Sequence, residues 1–130
     1  MSEASLDLAC PICGGSEFIH VNRRDTGRCK QCSAMERHRL AWMVMQHYDV
    51  LKPGLRVLHL APERGMAIRI FRIVRDGYYP TDIQPERFSR DSYKVRYLDC
   101  CAGLAGFADA RFDLILHNHV LEHVPCDVAG

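Results

Sequence analysis

The chain has 130 residues, 48% of them apolar and 25% charged, a composition that suits one globular domain or a small module joined to part of a larger one and that excludes disorder and collagen. Seventeen basic and 16 acidic residues leave a net charge of +1, so no global field holds nucleic acid and any basic patch must be local. No apolar run approaches the roughly 20 residues of a membrane helix, and Met1-Ser2-Glu3-Ala4-Ser5 lacks the basic and apolar regions of a signal peptide, so a cytoplasmic protein without membrane contact is expected.

Residues 1–33 form the first expected unit. They are rich in Cys, Gly and Arg and poor in large apolar side chains, too poor to build a core without a cross-link or a metal. Cys10-Pro11-Ile12-Cys13-Gly14 and Cys29-Lys30-Gln31-Cys32-Ser33 stand 15 residues apart, a spacing that brings two thiolate pairs together as a tetrahedral site. Four thiolates leave no open coordination position, so Cys10, Cys13, Cys29 and Cys32 are expected to hold a structural zinc. Cys100, Cys101 and Cys126 lack ligand spacing and read as core or surface thiols. Arg23, Arg24, Arg28, Lys30, Arg37 and Arg39 make this end modestly basic; they read either as a solvated face balanced by Asp25 and Glu36 or as phosphate contacts for RNA.

A linking helix is expected over residues 34–52. Ser33-Ala34-Met35-Glu36 has the form of a capping box, Leu40, Met43, Val44, His47 and Tyr48 recur at helical spacing, and Lys52-Pro53-Gly54 breaks the run.

From residue 53 to 130, strand and helix patterns alternate, which predicts a parallel α/β sheet. The first strand is expected at Leu55 to Leu60, and the helix after it buries Ala67, Ile70, Phe71 and Val74 and stops at Asp76-Gly77. Tyr78 to Thr81, Val95 to Leu98 and Phe112 to His117 read as three further strands, with another helix starting near Val120. The loop Ala61-Pro62-Glu63-Arg64-Gly65 lies between a strand end and a helix start, where open α/β sheets bind ligands, though it keeps only one glycine. Asp82, 17 residues beyond Gly65, stands about where a carboxylate accepts from a ribose, or is an ordinary strand-end aspartate.

Together with Leu98-Asp99, the run Phe112-Asp113-Leu114-Ile115-Leu116-His117-Asn118-His119-Val120-Leu121-Glu122-His123-Val124-Pro125 resembles the class I S-adenosylmethionine-dependent methyltransferases, over roughly residues 53–127. The four-cysteine module, Glu36-Arg37-His38-Arg39 and the Ala-Pro-Glu loop further resemble a bacterial subset with a zinc-ribbon front end. The resemblance implies a Rossmann-like parallel sheet of order 3-2-1-4-5-7-6, of which this chain carries only the first four strands, so it reads as the amino-terminal half of such a domain. It implies S-adenosylmethionine as cofactor, with Glu63 and Gly65 bordering its methionine end, Asp82 on the ribose hydroxyls, Asp99 facing the adenine amine and His117 beside the methyl group. His117, His119 and Glu122 are the candidate bases, while Glu122 and His123 equally read as residues that cap or pack the next helix.

Three functions follow from this reading. The first is a methyltransferase acting on a small-molecule or sugar-type acceptor. The second is an RNA-directed methyltransferase, and the third a non-catalytic interaction protein that kept the fold, in line with the glycine-poor loop. The exposed edge of the fourth strand is expected either to be covered by further chain or to support self-association.

Overall fold

The computed structural model describes residues 8–123. The chain opens with a cysteine knuckle, then an antiparallel hairpin of β1 (Phe18–Val21) and β2 (Arg24–Cys29). Asn22 and Arg23 both take positive φ, 49° and 65°, the handedness a two-residue hairpin turn needs to match strand twist. No alternating pattern of apolar residues announces this hairpin, because the residues that β2 buries are Gly27 and Cys29 and not large apolar side chains.

Helix α1 (Glu36–His47) follows, starting two residues later than the capping box predicts. Ser33 closes the second cysteine knuckle instead, with its N–H on the Cys29 carbonyl at 2.9 Å, and Glu36 pairs with Arg24. His38 caps the helix from within: its Nδ1 accepts the Met35 N–H at 3.1 Å. The face that α1 buries is also not the one its apolar spacing marks. Leu40, Met43, Val44 and Tyr48 are exposed, and His38, Arg39, Trp42 and Met45 point inward. The buried Arg39 donates to the carbonyls of Ala34 and Thr26 and lies 5.1 Å over the Phe18 ring, so its charge is solvated by backbone and aromatic face while it ties α1 to the hairpin.

The remainder is a four-stranded, wholly parallel sheet: β3 (Val57–Leu60), β4 (Tyr78–Asp82), β5 (Arg96–Tyr97) and β6 (Leu114–His117), in the order β5-β4-β3-β6. The α/β class expected from alternation is therefore present, with a four-cysteine cluster at the amino-terminal end. Helix α2 (Arg64–Val74) is the crossover from β3 to β4 and buries Met66, Ala67, Ile70 and Val74 against one face of the sheet. It ends at Arg75, which leaves the helix at φ 57°, and Gly77 then passes so near the Leu55 carbonyl that a Cβ there would stand 2.0 Å from that oxygen. The expected third strand shrinks to two residues, with Leu98 N–H extending the contact to the Asp82 carbonyl at 3.1 Å. After β6 a single 3-10 turn spans Leu121–His123, and the helix expected onward from Val120, with Val124, Pro125 and Cys126, lies outside the described residues.

A single buried cluster runs through both parts, from Cys10, Cys29 and Trp42 to Val57, Ile70 and Tyr78. The opposite face of the sheet carries a smaller aromatic group, Tyr79, Phe107 and Phe112, with ring centroids 5.0–5.8 Å apart. β6 is covered on the α2 side at Leu114 and Leu116 and open on the other at Ile115 and His117. Its outer edge has no strand partner among the described residues. No helix among them is long and apolar enough to cross a membrane.

Arg56 and Asp113 lock the base of β3 to β6 through a forked ion pair of 2.8 and 3.0 Å, with the Arg56 N–H adding a third bond at 2.9 Å. These bonds from Arg56 hold the Asp113 carboxyl down to about 2. A carboxylate depressed in the folded state contributes stability above its ordinary value near 3.8 and loses it as pH falls toward 2. Urea midpoints measured between pH 5 and 2 should accordingly fall less steeply in Asp113→Asn than in the wild type, and parallel profiles would show the pair contributes nothing.

Candidate metal centre and ligand cleft

Two knuckles of like geometry build the metal centre. In each, the residue after the second cysteine takes a left-handed conformation, Gly14 at φ 76° and Ser33 at φ 64°, and its N–H returns to the carbonyl of the first cysteine, at 2.7 Å on Cys10 and 2.9 Å on Cys29. This turn aims both sulfurs of a pair to the same side. The four Sγ atoms all lie within 4.8 Å of one another, with Cys10 and Cys32 3.8 Å apart and Cys13 and Cys29 3.5 Å apart. A tetrahedron with zinc–sulfur bonds of about 2.3 Å has sulfur–sulfur edges of about 3.8 Å, so the cluster is within metal-binding distance and compatible with zinc. The Gly15 N–H points at the Cys13 sulfur at 3.3 Å, a bond that favours thiolate. Burial raises the Cys29 thiol, but the backbone N–H groups of Cys32 and Gln31 outweigh it and bring it to about 7, while burial drives Cys32 up to about 12. A divalent cation removes this conflict by holding all four as thiolates.

Next to the cluster lies a buried polar network. Glu63, at the start of α2, accepts from His59 Nε2 at 3.0 Å through one oxygen, and its other oxygen lies 3.5 Å from His38 Nε2. A carboxylate only accepts, so His59 donates through Nε2, and in the neutral ring its Nδ1 takes the Tyr78 hydroxyl at 2.9 Å. The same logic fixes His38: Nδ1 is occupied by the Met35 N–H, which leaves the Nε2 proton facing Glu63. Burial pushes the Glu63 carboxyl up, yet the hydrogen bond and charge of His59, followed by the charge of His38, bring it below its ordinary value. Burial lowers His38, opposed by Glu63 and reinforced by Arg37, His119 and His59. Tyr78, buried beneath, is held far above the ordinary phenol range.

A cleft opens on the other side of the same loop. It encloses about 410 Å³ at the carboxyl ends of β3, β4 and β5. Leu60, Ile83, Leu98 and Val120 give it apolar walls, and Asp82, Asp99 and His119 supply polar groups. Each aspartate has one oxygen fixed by backbone: Asp82 Oδ1 takes the Gln84 N–H at 2.7 Å and Asp99 Oδ1 the Cys101 N–H at 2.9 Å. Both carboxylates are thus oriented while an oxygen of each remains for a ligand. His119, in a left-handed conformation at φ 53°, is paired through Nδ1 with Glu122 at 2.7 Å. Ala61, also left-handed at φ 49°, turns the chain out of β3 at the cleft floor with its N–H on the Thr81 carbonyl.

Of the residues expected at a cofactor, the structure brings Asp82 and Asp99 to the cleft, together with His119, expected as a base. Glu63 and Gly65 instead face the cysteine module: Glu63 is taken up by the two histidines, and a Cβ on Gly65 would stand 2.9 Å from the Cys32 carbonyl oxygen. His117 lies on the exposed face of β6 and is not among the residues that line the cleft. Cys100, Cys101 and Arg87 do line it, and no spacing marked them in the sequence. Of the basic residues read as phosphate contacts, Arg39 is buried, Arg24 is paired with Glu36 and Lys30 with Glu17. Compared with known proteins, the chain matches no family model, no curated protein and no solved structure.

Three measurements probe this architecture. Cys29→Ser should lose tightly bound zinc in a metal assay and unfold the hairpin, whereas full metal content with an intact fold would remove the cysteines from any metal role. Glu63→Gln, which takes the charge from two buried donors, should cost about 1.5–3 kcal/mol in urea unfolding at pH 7.5, followed through the single tryptophan, Trp42. In the wild type, His38 is depressed in the folded state, so its contribution is complete above its ordinary value near 6.5 and falls away as pH drops below it; a midpoint unchanged from pH 7.5 to 5.5 would contradict the arrangement.

Proposed function

We propose that this chain is an S-adenosylmethionine-dependent methyltransferase of class I, or its cofactor-binding half, with a structural zinc bound by Cys10, Cys13, Cys29 and Cys32, acting on a small-molecule or sugar-type acceptor. The observation that carries the reading is the cleft, where two backbone-oriented carboxylates stand at the ends of adjacent parallel strands around an apolar interior. The sheet order β5-β4-β3-β6 supports it, since it corresponds to strands 3-2-1-4 of the Rossmann-like sheet of that family. Apolar walls with a few fixed acceptors suit a nucleoside, whose base is apolar on its faces and whose ribose and amine are donors.

In this reading Asp82 accepts from the two ribose hydroxyls and Asp99 from the adenine amine, and neither changes protonation. S-adenosylmethionine supplies an electrophilic methyl group, and what the chain adds is chiefly proximity and orientation. His119, aligned by Glu122, is the base for an acceptor that carries a proton; His117 stands one turn of chain away on the open face of β6. Glu63 and Gly65 act through the loop that joins the cleft to the cysteine module, not as cofactor contacts. A complete active site needs walls beyond those described, because His117 and Ile115 face outward.

Calorimetric titration of the zinc-loaded chain with S-adenosylmethionine and with S-adenosylhomocysteine tests the proposal. Saturable one-to-one binding, weakened at least about tenfold in Asp82→Ala through loss of the ribose bonds, is the expected result. Absence of binding to both compounds would overturn it for this chain and favour a non-catalytic zinc protein.

A further inference from the structure

A second concavity, distinct from the cleft, runs between the second cysteine knuckle and the exposed side of α2. It encloses about 430 Å³, and it is lined by Cys13 and Cys32 of the cysteine cluster, by Ser33, and by Arg64, Arg69 and Arg72 of α2. No carboxylate lines it. The three arginines lie on one side of α2, and at 1.5 Å per residue Arg64 and Arg72 are about 12 Å apart along the helix axis. Their guanidinium groups are held to different degrees. Arg64 is fixed by Asp91 at 3.1 Å through Nε, Arg69 donates one nitrogen to the Gly65 carbonyl at 3.2 Å, and Arg72 has no hydrogen-bond or ion-pair partner among the described residues. Such an arrangement keeps positive charge concentrated in a chain whose net charge is only +1. Asp91 answers the charge of Arg64, while Arg69 and Arg72 have no acidic partner among the described residues and stay open to an anionic ligand.

We propose that this groove binds the phosphodiester backbone of a nucleic acid duplex. Arginine forks match phosphate oxygens in pairs, and a length of about 12 Å along the helix spans more than one phosphate, so a polymeric ligand fits better than a single phosphoryl group. The groove has no aromatic residue in its lining, so it offers no platform for unstacked bases. Recognition then falls on the backbone of a paired helix, positioned by charge and shape and not by sequence. An acidic peptide is disfavoured because the lining provides neither a free strand edge nor an apolar pocket for its side chains. The groove uses a different set of arginines from those of the hairpin and α1, and it does not rest on the methyl-transfer reading.

The test is fluorescence anisotropy of a labelled RNA duplex of about 20 base pairs, and of a DNA duplex of the same sequence, with the full zinc-loaded chain. Binding should weaken with rising salt, and the affinity should fall at least about tenfold in Arg72→Glu, with a shallower salt slope. Lys94→Glu makes the same charge change at an exposed position outside the groove and should alter affinity less than about twofold. Zinc content and circular dichroism establish that both variants are folded, with Arg72→Gln in place of the glutamate variant if that one is not. Binding to either duplex supports the proposal, and the two arms show which sugar the groove takes. No duplex binding at 50 mM salt, equal losses in the two variants, or competition by polyglutamate as strong as by unlabelled duplex would each overturn it. Cofactor titration of Arg72→Glu separates the two readings, since the cleft is intact in that variant.

Discussion

The carboxylate of Glu63 is shared between a histidine of α1 and a histidine of β3, and the joining of the cysteine module to the parallel sheet depends on that arrangement. A charge with only 15% of its side chain exposed is costly unless hydrogen bonds replace water, and here the replacement comes from two different elements. Neither partner is interchangeable with an apolar residue. His38 is already engaged by the Met35 N–H and His59 by the Tyr78 hydroxyl, so each ring has one nitrogen left and it faces Glu63. The polar chain from Met35 to Tyr78 therefore fixes the position of α1 over the end of β3 with a specificity that apolar contact alone lacks.

The interlock explains the sparse glycines in the loop after β3. A phosphate- or cofactor-cradling loop needs glycines so that ligand can approach backbone. Here the close approach at that place is made by the protein itself, Gly65 against Cys32, so one glycine is enough. The same contact explains why the cysteine end is not a detached bead. Its own apolar residues are few, and Cys10, Ile12, Cys29 and Ala34 join Trp42 and Met66 in a cluster continuous with the core under α2. The cysteine cluster, the hairpin and the sheet in this way share one buried core.

What the sequence discloses follows from how local each signal is. The two Cys-x-x-Cys knuckles are legible because the turn and the ligands lie within five residues of one another. Asp82 and Asp99 are legible because a strand end in an α/β pattern already fixes where a side chain stands, and α2 because its buried stripe is truly apolar. The face of α1 is misread for a definite reason. Leu40, Met43, Val44, His47 and Tyr48 have the right period, but the inward stripe contains His38 and Arg39, whose polar atoms are satisfied by the Met35 N–H, Glu63 and the carbonyls of Ala34 and Thr26. Hydropathy scores such residues as solvent-facing and cannot register that their partners exist. The Glu63 network joins residues 19 or more positions apart on two of its links, and no periodicity connects them. Arg39 and Arg24 pass for free basic charge for the same reason.

The loop from Leu60 to Gly65 also sets the relation between the two concavities. Leu60 and Ala61 belong to the cleft with Asp82 and Asp99, while Arg64 and Gly65 belong to the arginine groove. Glu63 stands between them and is held from both sides, and Pro62 before it has a fixed φ and is buried. The six-residue segment therefore has little freedom to bring one concavity closer to the other. The interlock thereby sets the separation of the groove from the cleft. The spacing of the two concavities is established by folding, through groups that the chain itself supplies.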